Sequence, residues 1–216
     1  MEPSLFLKSS IKEATINLNN DYRYLKTGYY VSLHAEVLGN QVIPSCEDII
    51  DSSRTPILLL RATRAKIASS KFMVTDSVKK IIDELGLPVI IFAVNPFIHT
   101  GYKIANNKSA LYRAMKSLGM NYKFDVCAQP LKGEVVSFKS FFGKAQTSHS
   151  EVAELSLKVY DLFKIPICRL HTQIIDGKAH LCGLEPIEEK ELSKEDLVKI
   201  EQEILLISQQ GEHVSV

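Results

Sequence analysis

Short apolar runs recur along the first ninety residues of the chain and are separated by polar segments. Four of these runs predict β-strands, at 14–18, 41–43, 56–60 and 89–94. The last two contain no polar position, which is typical of strands that are covered on both faces. Because helical patterns lie between the runs, the first half of the chain is expected to form an α/β fold, with a mainly parallel sheet flanked by helices.

Two helical stripes support this interpretation. Apolar residues recur every four positions from Leu25 through Tyr29 and Leu33 to Val37, which predicts a helix that Gly39 ends. Gly28 lies inside this stripe at a cost of about 1 kcal/mol relative to alanine, so we expect another backbone to approach it closely. A second stripe, at Val78, Ile81, Ile82 and Leu85, predicts a helix that ends at Gly86.

The pattern then becomes less regular. An irregular loop is expected at 95–107, and a helix at 108–118 whose inward positions are Leu111, Met115 and Leu118. Strands are predicted near 124–128 and 135–142. The chain is expected to be one domain over 1–216, with possible sublobes at 1–128 and 129–216.

The second half is expected to be α+β, in the order β-α-β-β-α. A capping box at 148–151 begins a predicted helix with inward Val152, Leu155, Val159 and Leu162. Asp176-Gly177 predicts a type I′ hairpin turn between strands at 167–175 and 178–184. A last helix is expected from Ser193, with Asp196 completing its capping box and inward positions at Leu197, Ile200, Ile204 and Ile207.

A two-residue turn at Asp176-Gly177 places His171 opposite Cys182. One face of the hairpin then carries Arg169, His171, Gln173, Lys178, His180 and Cys182. His171, His180 and Cys182 could supply three zinc ligands and leave one position open. Because their spacing matches no known zinc pattern, we favour a polar face that is exposed or contacts a partner, and expect no metal. A shift of one residue in register would separate the three.

Composition narrows the classes of protein that fit. The chain has 216 residues with 26 Lys plus Arg against 25 Asp plus Glu, so its net charge of +1 argues against a general nucleic-acid binder. Its four cysteines form no CxxC pair, which favours reduced thiols and a cytoplasmic location. No apolar run is long enough to span a bilayer, and residues 1–10 show no secretory signal.

The near-zero net charge conceals an uneven distribution. The segments 52–75 and 85–124 contain no acidic residue, whereas acids are concentrated from Glu185 to Glu203. Among these acids, 185–189 reads Glu-Pro-Ile-Glu-Glu, which resembles a pair of carboxylates for acid–base or metal chemistry. Because the run precedes a helix, we interpret it as helix-entry charge that complements the dipole.

Two groups of residues resemble a known family. The first is Arg23-Tyr24 followed by Gly28-Tyr29-Tyr30-Val31-Ser32-Leu33. The second is Phe142-Gly143-Lys144 before a helix, then Phe163, Pro166 and Arg169 before the hairpin. Together they resemble the RimK-like ATP-grasp N-terminal domain family, and the resemblance ends near Ile187.

This resemblance implies a role beside a RimK-type ATP-grasp ligase, which joins a carboxylate to an amine. It implies an accessory or substrate-binding domain without ligase activity of its own, because an ATP-grasp module needs a phosphate flap, lysines and Mg²⁺ ligands, for which no room follows Ile187. ATP and Mg²⁺ are then expected only through a partner ligase subunit or domain.

The first candidate site lies where the first strand passes into the first helix. Its members are Arg23, Tyr24, Gly28, Tyr29, Tyr30 and Ser32. In open α/β sheets ligands gather at the carboxyl ends of strands, and a guanidinium among phenols suits a carboxylate or phosphate. An equally weighted alternative makes the tyrosines part of the core and Arg23 a tie to a backbone carbonyl.

Further cations are candidates for the same crevice. Arg61, Arg64 and Lys66 follow the predicted strand at 56–60, where they would attract an acidic small molecule or peptide, although we favour a solvated basic loop. Lys144 and Arg169 join the anion-binding set through the motifs that carry the family resemblance.

Three functions are consistent with these observations. The leading hypothesis is the ligase-associated domain. The second is a small stand-alone enzyme or binding protein for an anionic metabolite, acting at Arg23 and Arg61. The third, and least expected, is an RNA-binding module that uses the basic segments with Tyr102, Tyr112 and Tyr122.

Overall fold

The structure is a computed structural model that describes residues 1–19, 21–94 and 101–211. Its helices are α1 (Pro3–Phe6), α2 (Thr27–Val37), α3 (Cys46–Ser53), α4 (Thr55–Arg64), α5 (Val78–Leu85), α6 (Lys108–Leu118), α7 (Ser150–Phe163) and α8 (Lys194–Gly211), with a 3-10 turn, η1, at Glu189–Glu191. Its strands are β1 (Thr15–Ile16), β2 (Val42–Ile43), β3 (Met73–Thr75), β4 (Val89–Ala93), β5 (Tyr102–Ala105), β6 (Val126–Pro130), β7 (Glu134–Phe141), β8 (Lys144–Ala145), β9 (Ile167–Ile175) and β10 (Lys178–Glu185).

The sheets are mainly antiparallel, so the prediction of a mainly parallel sheet is wrong. Strands β1 and β2 pair in parallel, but they form only a two-stranded sheet. The first antiparallel sheet has the order β3-β6-β4-β5, and the second antiparallel sheet has the order β10-β9-β7-β8. The fold is a mixed α/β fold, and each described strand pair of the two large sheets is antiparallel.

The segment 56–60, predicted as a buried strand, lies inside helix α4. Pro56 occupies the first turn, where its missing N–H costs nothing. Thr55, Leu58, Leu59 and Ala62 are buried at the i, i+3, i+4, i+7 spacing of a helix, whereas Leu60 is 49% exposed. This helical spacing of the buried residues explains the error, because the five apolar residues at 56–60 taken alone fit a strand equally well.

Helix α2 is rotated relative to the predicted stripe. Val31, Ser32 and Ala35 face inward with Gly28, whereas Val37 is 76% exposed. The close approach predicted at Gly28 is confirmed, because a Cβ there would lie 2.5 Å from the Asn19 backbone oxygen. Helix α2 therefore packs directly on the backbone that follows β1.

The first antiparallel sheet packs on α5 and α6. Helix α6 has the predicted bounds and buries Leu111, Met115 and Leu118 against Val89 and Ile91. Within the loop predicted at 95–107, residues 102–105 instead form β5, which pairs with β4, and residues 95–100 lie outside the described residues. This sheet and its two helices share one apolar core.

The second antiparallel sheet packs on α7, α3 and α4. Its hairpin turns at Asp176-Gly177 as predicted, with Ile175 opposite Lys178. The capping box predicted at 148–151 is not formed, because α7 begins at Ser150 without a side-chain cap. The box of α8 is confirmed, since the Asp196 N–H donates to Ser193 Oγ at 3.2 Å and the Ser193 N–H donates to Asp196 Oδ2 at 2.9 Å.

The predicted inward positions are largely those observed in the last two helices. Val152, Leu155 and Val159 of α7 are buried, and Ile200 of α8 is buried with Ile204 and Ile207 partly buried beside it. Leu197 was also predicted to face inward but is 52% exposed. Among the described residues, no helix combines the length and the apolar character needed to cross a bilayer.

A bulge in β10 changes the predicted hairpin face. The register shifts between Leu181 and Gly183, so His171 lies opposite Gly183 instead of Cys182. Half of the face predicted to be polar and exposed is buried, since His171, Gln173 and Cys182 are each at most 3% exposed. Gly183 lies against the Phe92 ring, and Gln129 Nε2 donates to the Cys182 carbonyl at 2.7 Å. The two antiparallel sheets meet at this face.

Candidate functional site

A cleft of about 970 Å³ opens beside the contact between the two antiparallel sheets. The ends of β9 and β10 supply one wall, η1 and α8 a second, and the segment after β1 a third. Its lining includes six residues with charged or titratable side chains, namely Asp21, Arg23, Arg169, His171, Glu185 and Glu191. Two of these, Arg23 and Arg169, were predicted from the sequence.

Arg169 holds two carboxylates at once. Its Nη1 donates to Glu185 Oε1 at 2.9 Å and its Nη2 donates to Glu191 Oε1 at 2.8 Å. Antiparallel pairing explains the first contact, because Arg169 of β9 lies opposite Glu185 of β10. The second contact depends on η1, which returns Glu191 towards the end of the hairpin.

These contacts shift the pKa of the carboxyl groups. Burial alone would raise the pKa of Glu185, but His171 and the Arg169 guanidinium outweigh it, so the pKa lies below its ordinary value. The pKa of Glu191 is lowered chiefly by its hydrogen bond with Arg169. Both groups are therefore carboxylates at neutral pH.

His171 lies at the floor of the cleft and is 3% exposed. Its Nδ1 lies 2.8 Å from Ser137 Oγ, and the Tyr102 ring packs edge-on against the imidazole with ring centroids 5.0 Å apart. Its Nε2 lies 3.4 Å from Glu185 Oε1 without the geometry of a hydrogen bond. Among the described residues, Nε2 therefore has no hydrogen-bond partner.

Arg23 is also paired. Its Nε donates to Asp21 Oδ1 and its Nη2 donates to Asp21 Oδ2 at 2.8 Å, which is a bidentate pair. The hydrogen bond with Asp21 is the largest of the causes that raise the pKa of this guanidinium. Neither arginine of the cleft is left without a carboxylate.

The described cleft residues carry more negative than positive charge. There are five carboxylates, on Asp21, Glu185, Glu188, Glu189 and Glu191, and three cations, on Arg23, Arg169 and Lys190. These eight side chains together carry a net charge of −2. The local potential therefore favours a positively charged group over an anion.

Most of the first predicted cluster lies away from the cleft. Ser32 is buried and donates to the Pro44 carbonyl at 2.7 Å, while Gly28 serves the close packing of α2. Tyr24, Tyr29 and Tyr30 form a row of edge-on ring contacts, with centroid separations of 5.2 and 5.9 Å. The structure thus brings Arg23 to the cleft without these neighbours.

The other predicted cations also lie elsewhere. Arg61 and Arg64 occupy the last turn of α4 and do not follow a strand. Arg61 pairs with Asp51 at 2.8 Å, and Lys144 pairs with Glu203 at 2.6 Å. Arg64 and Lys66 are exposed. The alternative in which Arg61, Arg64 and Lys66 share the crevice of Arg23 assumed a strand at 56–60, and Thr55–Arg64 is instead a helix whose cations do not line the cleft. The favoured interpretation, a solvated basic loop, also differs from this helix, although Arg64 and Lys66 are exposed.

The zinc alternative has no geometric support within residues 1–19, 21–94 and 101–211. In that part of the chain, no group of three histidine, cysteine, aspartate or glutamate side chains is arranged to hold a metal ion. The bulge turns Cys182 towards Ser70 and Gln173, at 3.3 and 3.4 Å from its Sγ. His171 faces Ser137 and Glu185 instead.

The carboxylates at 185–189 were interpreted from the sequence as helix-entry charge, and Glu191 was given no site role. Glu188 and Glu191 do form a capping box at η1, which agrees with the interpretation of this run as helix-entry charge. Glu185, however, projects into the cleft beside His171. The available signal was Arg169, because the predicted hairpin register already places a residue near 184 or 185 across from it.

Several solved structures have a similar fold. D-alanine–D-alanine ligase from Bacillus anthracis is 16% identical, with a TM-score of 0.61 over 84% of this chain and 77% of that chain. A RimK domain protein ATP-grasp from Sphaerobacter thermophilus is 11% identical, with a TM-score of 0.59 over 79% and 72%. The ATP-grasp ligase PsnB is 17% identical, with a TM-score of 0.52 over 73% and 56%. At these identities the likeness shows a shared fold alone.

A family assignment comes from the sequence itself. No curated protein matches the chain significantly. The profile of the RimK-like ATPgrasp N-terminal domain, in contrast, matches residues 6–203 of the 216. That range includes both antiparallel sheets and the cleft between them. The chain therefore belongs to the RimK-like ATP-grasp N-terminal domain family.

Proposed function

We propose that this chain is a substrate-binding domain that works with a RimK-type ATP-grasp carboxylate–amine ligase, and that its substrate occupies the cleft at Arg169. The family match and the ATP-grasp fold support the ligase context. The ligand in this proposal is an amino acid or peptide. The ligase, as a subunit or a joined domain, supplies the site for ATP and Mg²⁺, and the cytoplasm is the proposed location.

The charges of the cleft are the observation that best supports an accessory, substrate-binding role for this chain. A triphosphate needs several cations that are free to face it. In the described cleft, both arginines are held by carboxylates, and the single lysine, Lys190, pairs with Glu188 at 2.5 Å. The fold is shared with ligases, but this charge arrangement suits an organic substrate better than a polyphosphate.

The test is reconstitution of amide formation. The chain is purified with a RimK-type ATP-grasp ligase from the same genome, and amide product and ADP are measured with each protein alone and with both. We expect amide formation only with both proteins. Amide formation by the purified chain alone would overturn the proposal, as would full activity of the ligase without it.

Two variants distinguish the effect of a cleft substitution on KM from the effect of losing a surface charge elsewhere. Arg169→Gln removes the guanidinium that holds Glu185 and Glu191, and we expect the KM for the amino-acid or peptide substrate to rise about tenfold or more. Arg64→Ala is the matched control, because Arg64 is exposed on α4 and lies outside the cleft. The control variant should retain the KM of the natural chain.

The outer face of α6 favours a second candidate, an RNA-binding module. Arg113, Lys116 and Lys123 line a shallow depression there and have no ion-pair partner among the described residues, and Tyr112 and Tyr122 are exposed beside them. Tyr102 instead packs on His171. Binding of single-stranded RNA that falls steeply with salt, and that Lys116→Ala weakens, would support this candidate over the first.

A further inference from the structure

We infer that Ser137, His171 and Glu185 form a hydrolytic triad, in which Ser137 is the nucleophile, His171 the general base and Glu185 the positioning residue that orients the imidazole. The activity that this triad predicts is hydrolysis of a carboxylic ester through an acyl-serine intermediate. The reaction uses no ATP and no partner protein, so it goes beyond the proposed function and is tested independently of it. Three observations lead to it.

The first observation is the contact between Ser137 and His171. The two residues lie opposite each other on β7 and β9, and Ser137 Oγ is 2.8 Å from His171 Nδ1. Ser137 is exposed, whereas the imidazole is buried and the Tyr102 and Phe92 rings pack against it, with centroids 5.0 and 6.0 Å from its own. The hydroxyl can therefore be reached from solvent while the base stays fixed. A serine within hydrogen-bonding distance of a positioned base is the arrangement that activates this nucleophile.

The second observation is the carboxylate on the other side of the imidazole. Glu185 Oε1 lies 3.4 Å from His171 Nε2, a separation typical of a triad before its substrate binds. A carboxylate at this position favours a proton on Nε2, which leaves the lone pair of Nδ1 to accept the Ser137 hydroxyl proton. Arg169 holds the same carboxylate oxygen at 2.9 Å. Because the pKa of Glu185 is lowered, the carboxylate stays charged and stabilises the imidazolium that forms when Nδ1 takes the proton.

The third observation is the open edge of β7 beside Ser137. The Gln146 N–H donates to the Lys139 carbonyl at 2.8 Å, so odd-numbered positions of β7 direct their main-chain groups towards the edge opposite β9. Strand β8 covers this edge at Ser140 and Phe141, and none of the described strands pairs with it at Ser137. The Ser137 N–H can therefore donate to the oxygen that becomes negatively charged when the serine attacks a carbonyl carbon.

The reaction follows from these positions. Ser137 Oγ attacks the ester carbonyl carbon, His171 Nδ1 takes the hydroxyl proton, and the carbonyl electron pair moves to the oxygen beside the Ser137 N–H. The carbon–oxygen bond to the alcohol then breaks, and the alcohol leaves with the proton from Nδ1. Water attacks the acyl-serine with the same base, and breakage of the acyl–Oγ bond releases the carboxylic acid and returns the proton to Ser137. The excess of carboxylates in the neighbouring cleft favours an ester without negative charge.

The experiment locates the reactive serine in the natural chain. The purified chain is treated with a fluorophosphonate, whose phosphorus bonds to an activated serine oxygen and loses fluoride, and the modified peptide is identified by mass spectrometry. We expect one equivalent of label on Ser137, together with hydrolysis of p-nitrophenyl acetate that the label abolishes. Absence of label from Ser137, or equal labelling of other exposed serines such as Ser208, would overturn the inference.

Variants test the role of each group. Ser137→Ala changes an exposed position and should abolish both labelling and ester hydrolysis, whereas Ser208→Ala, the matched control at an exposed serine of α8, should change neither. Glu185→Gln should lower kcat for p-nitrophenyl acetate about tenfold or more with little change in KM, because the imidazole loses the carboxylate that fixes its proton. Ester hydrolysis by Ser137→Ala at the natural rate would show that the contact with His171 is only structural.

Discussion

Two arginines of this chain each hold two or more carboxylates, yet their surroundings differ. Arg61 links α3, α4 and α7, because it pairs with Asp48 and Asp51 and its guanidinium lies 4.8 Å from the centroid of the Phe163 ring. Arg169 holds Glu185 and Glu191 at the edge of an open cleft. One arginine closes a helix interface, and the other lines a space large enough for a ligand.

The pKa of Asp48, beside Arg61, shifts in the opposite direction from those of Glu185 and Glu191, beside Arg169. Burial raises the pKa of Asp48, and the Ser45 hydrogen bond and Arg61 only partly offset it. The pKa values of Glu185 and Glu191 are lowered despite burial. The Arg61 cluster therefore contributes packing, whereas the Arg169 cluster maintains charge beside the buried imidazole of His171.

The largest expected effect comes from breaking the helix interface beneath Arg61. Phe163 is fully buried against α4 and the second antiparallel sheet, so Phe163→Ala should lower the free energy of unfolding by about 3–5 kcal/mol. Urea denaturation measures this change. A loss under about 1 kcal/mol would show that the α3, α4 and α7 cluster is not an important packing centre.

Removal of the cleft arginine should have the next largest effect. Arg169→Met leaves Glu185 and Glu191 close together without their cation, which should lower the free energy of unfolding at pH 7 by about 2 kcal/mol. Arg169→Lys is the matched control, because it keeps the charge but cannot hold both carboxylates in a fork, and should give an intermediate loss.

The same substitution in the helix interface should cost less. Arg61→Met retains a long apolar stem over Phe163 and loses partly exposed ion pairs, so the expected loss is about 1 kcal/mol. Urea denaturation in parallel with Arg169→Met compares the two clusters directly. If Arg61→Met proves the more destabilising of the two, the proposed contrast between packing and charge is reversed.

The smallest expected effect is a change in how the free energy of unfolding depends on pH. The pKa of Glu185 is lowered on folding, so ionised Glu185 stabilises the folded state. This contribution to the free energy of unfolding is complete above the unfolded pKa of about 4.3 and is lost as the pH falls through the folded pKa. The raised pKa of Asp48 acts in the opposite sense, favouring the folded state at low pH and losing that contribution as the pH rises.

Unfolding measured between about pH 3 and pH 5 tests these two signs. Glu185→Gln should make the free energy of unfolding less sensitive to acid, on the order of 0.5 kcal/mol per pH unit, and Asp48→Asn should make it more sensitive. Equal slopes in both variants and the natural chain would contradict the opposite titration of the two clusters.

Local signals allowed parts of the fold to be predicted. The stripes of α5 and α6 and the Asp176-Gly177 turn were predicted because a helical period and a two-residue turn each depend on adjacent residues. The segment 56–60 was misassigned because five apolar residues fit a strand and a buried helix equally well. The antiparallel pairing of β4 with β6 is non-local and leaves no comparable signal.

The residues of the candidate site could also be predicted only in part, because their pairing is non-local. Arg23 and Arg169 were identified from residue type and motif, and both line the cleft. Arg61 and Lys144 look equivalent to them in the sequence but pair with acids elsewhere. Which acid neutralises which arginine depends on how helices and strands assemble, and residue spacing does not specify this.

The contact between Gly183 and Phe92 has a consequence for how this family varies. A Cβ at position 183 would lie 2.5 Å from the Phe92 ring, so the absence of a side chain sets how closely the two antiparallel sheets approach. In relatives, a larger residue at the position of Gly183 is expected to occur with a smaller one at the position of Phe92. Paired substitution at these two positions in an alignment would therefore indicate the separation of the two sheets, and the depth of the cleft, across the family.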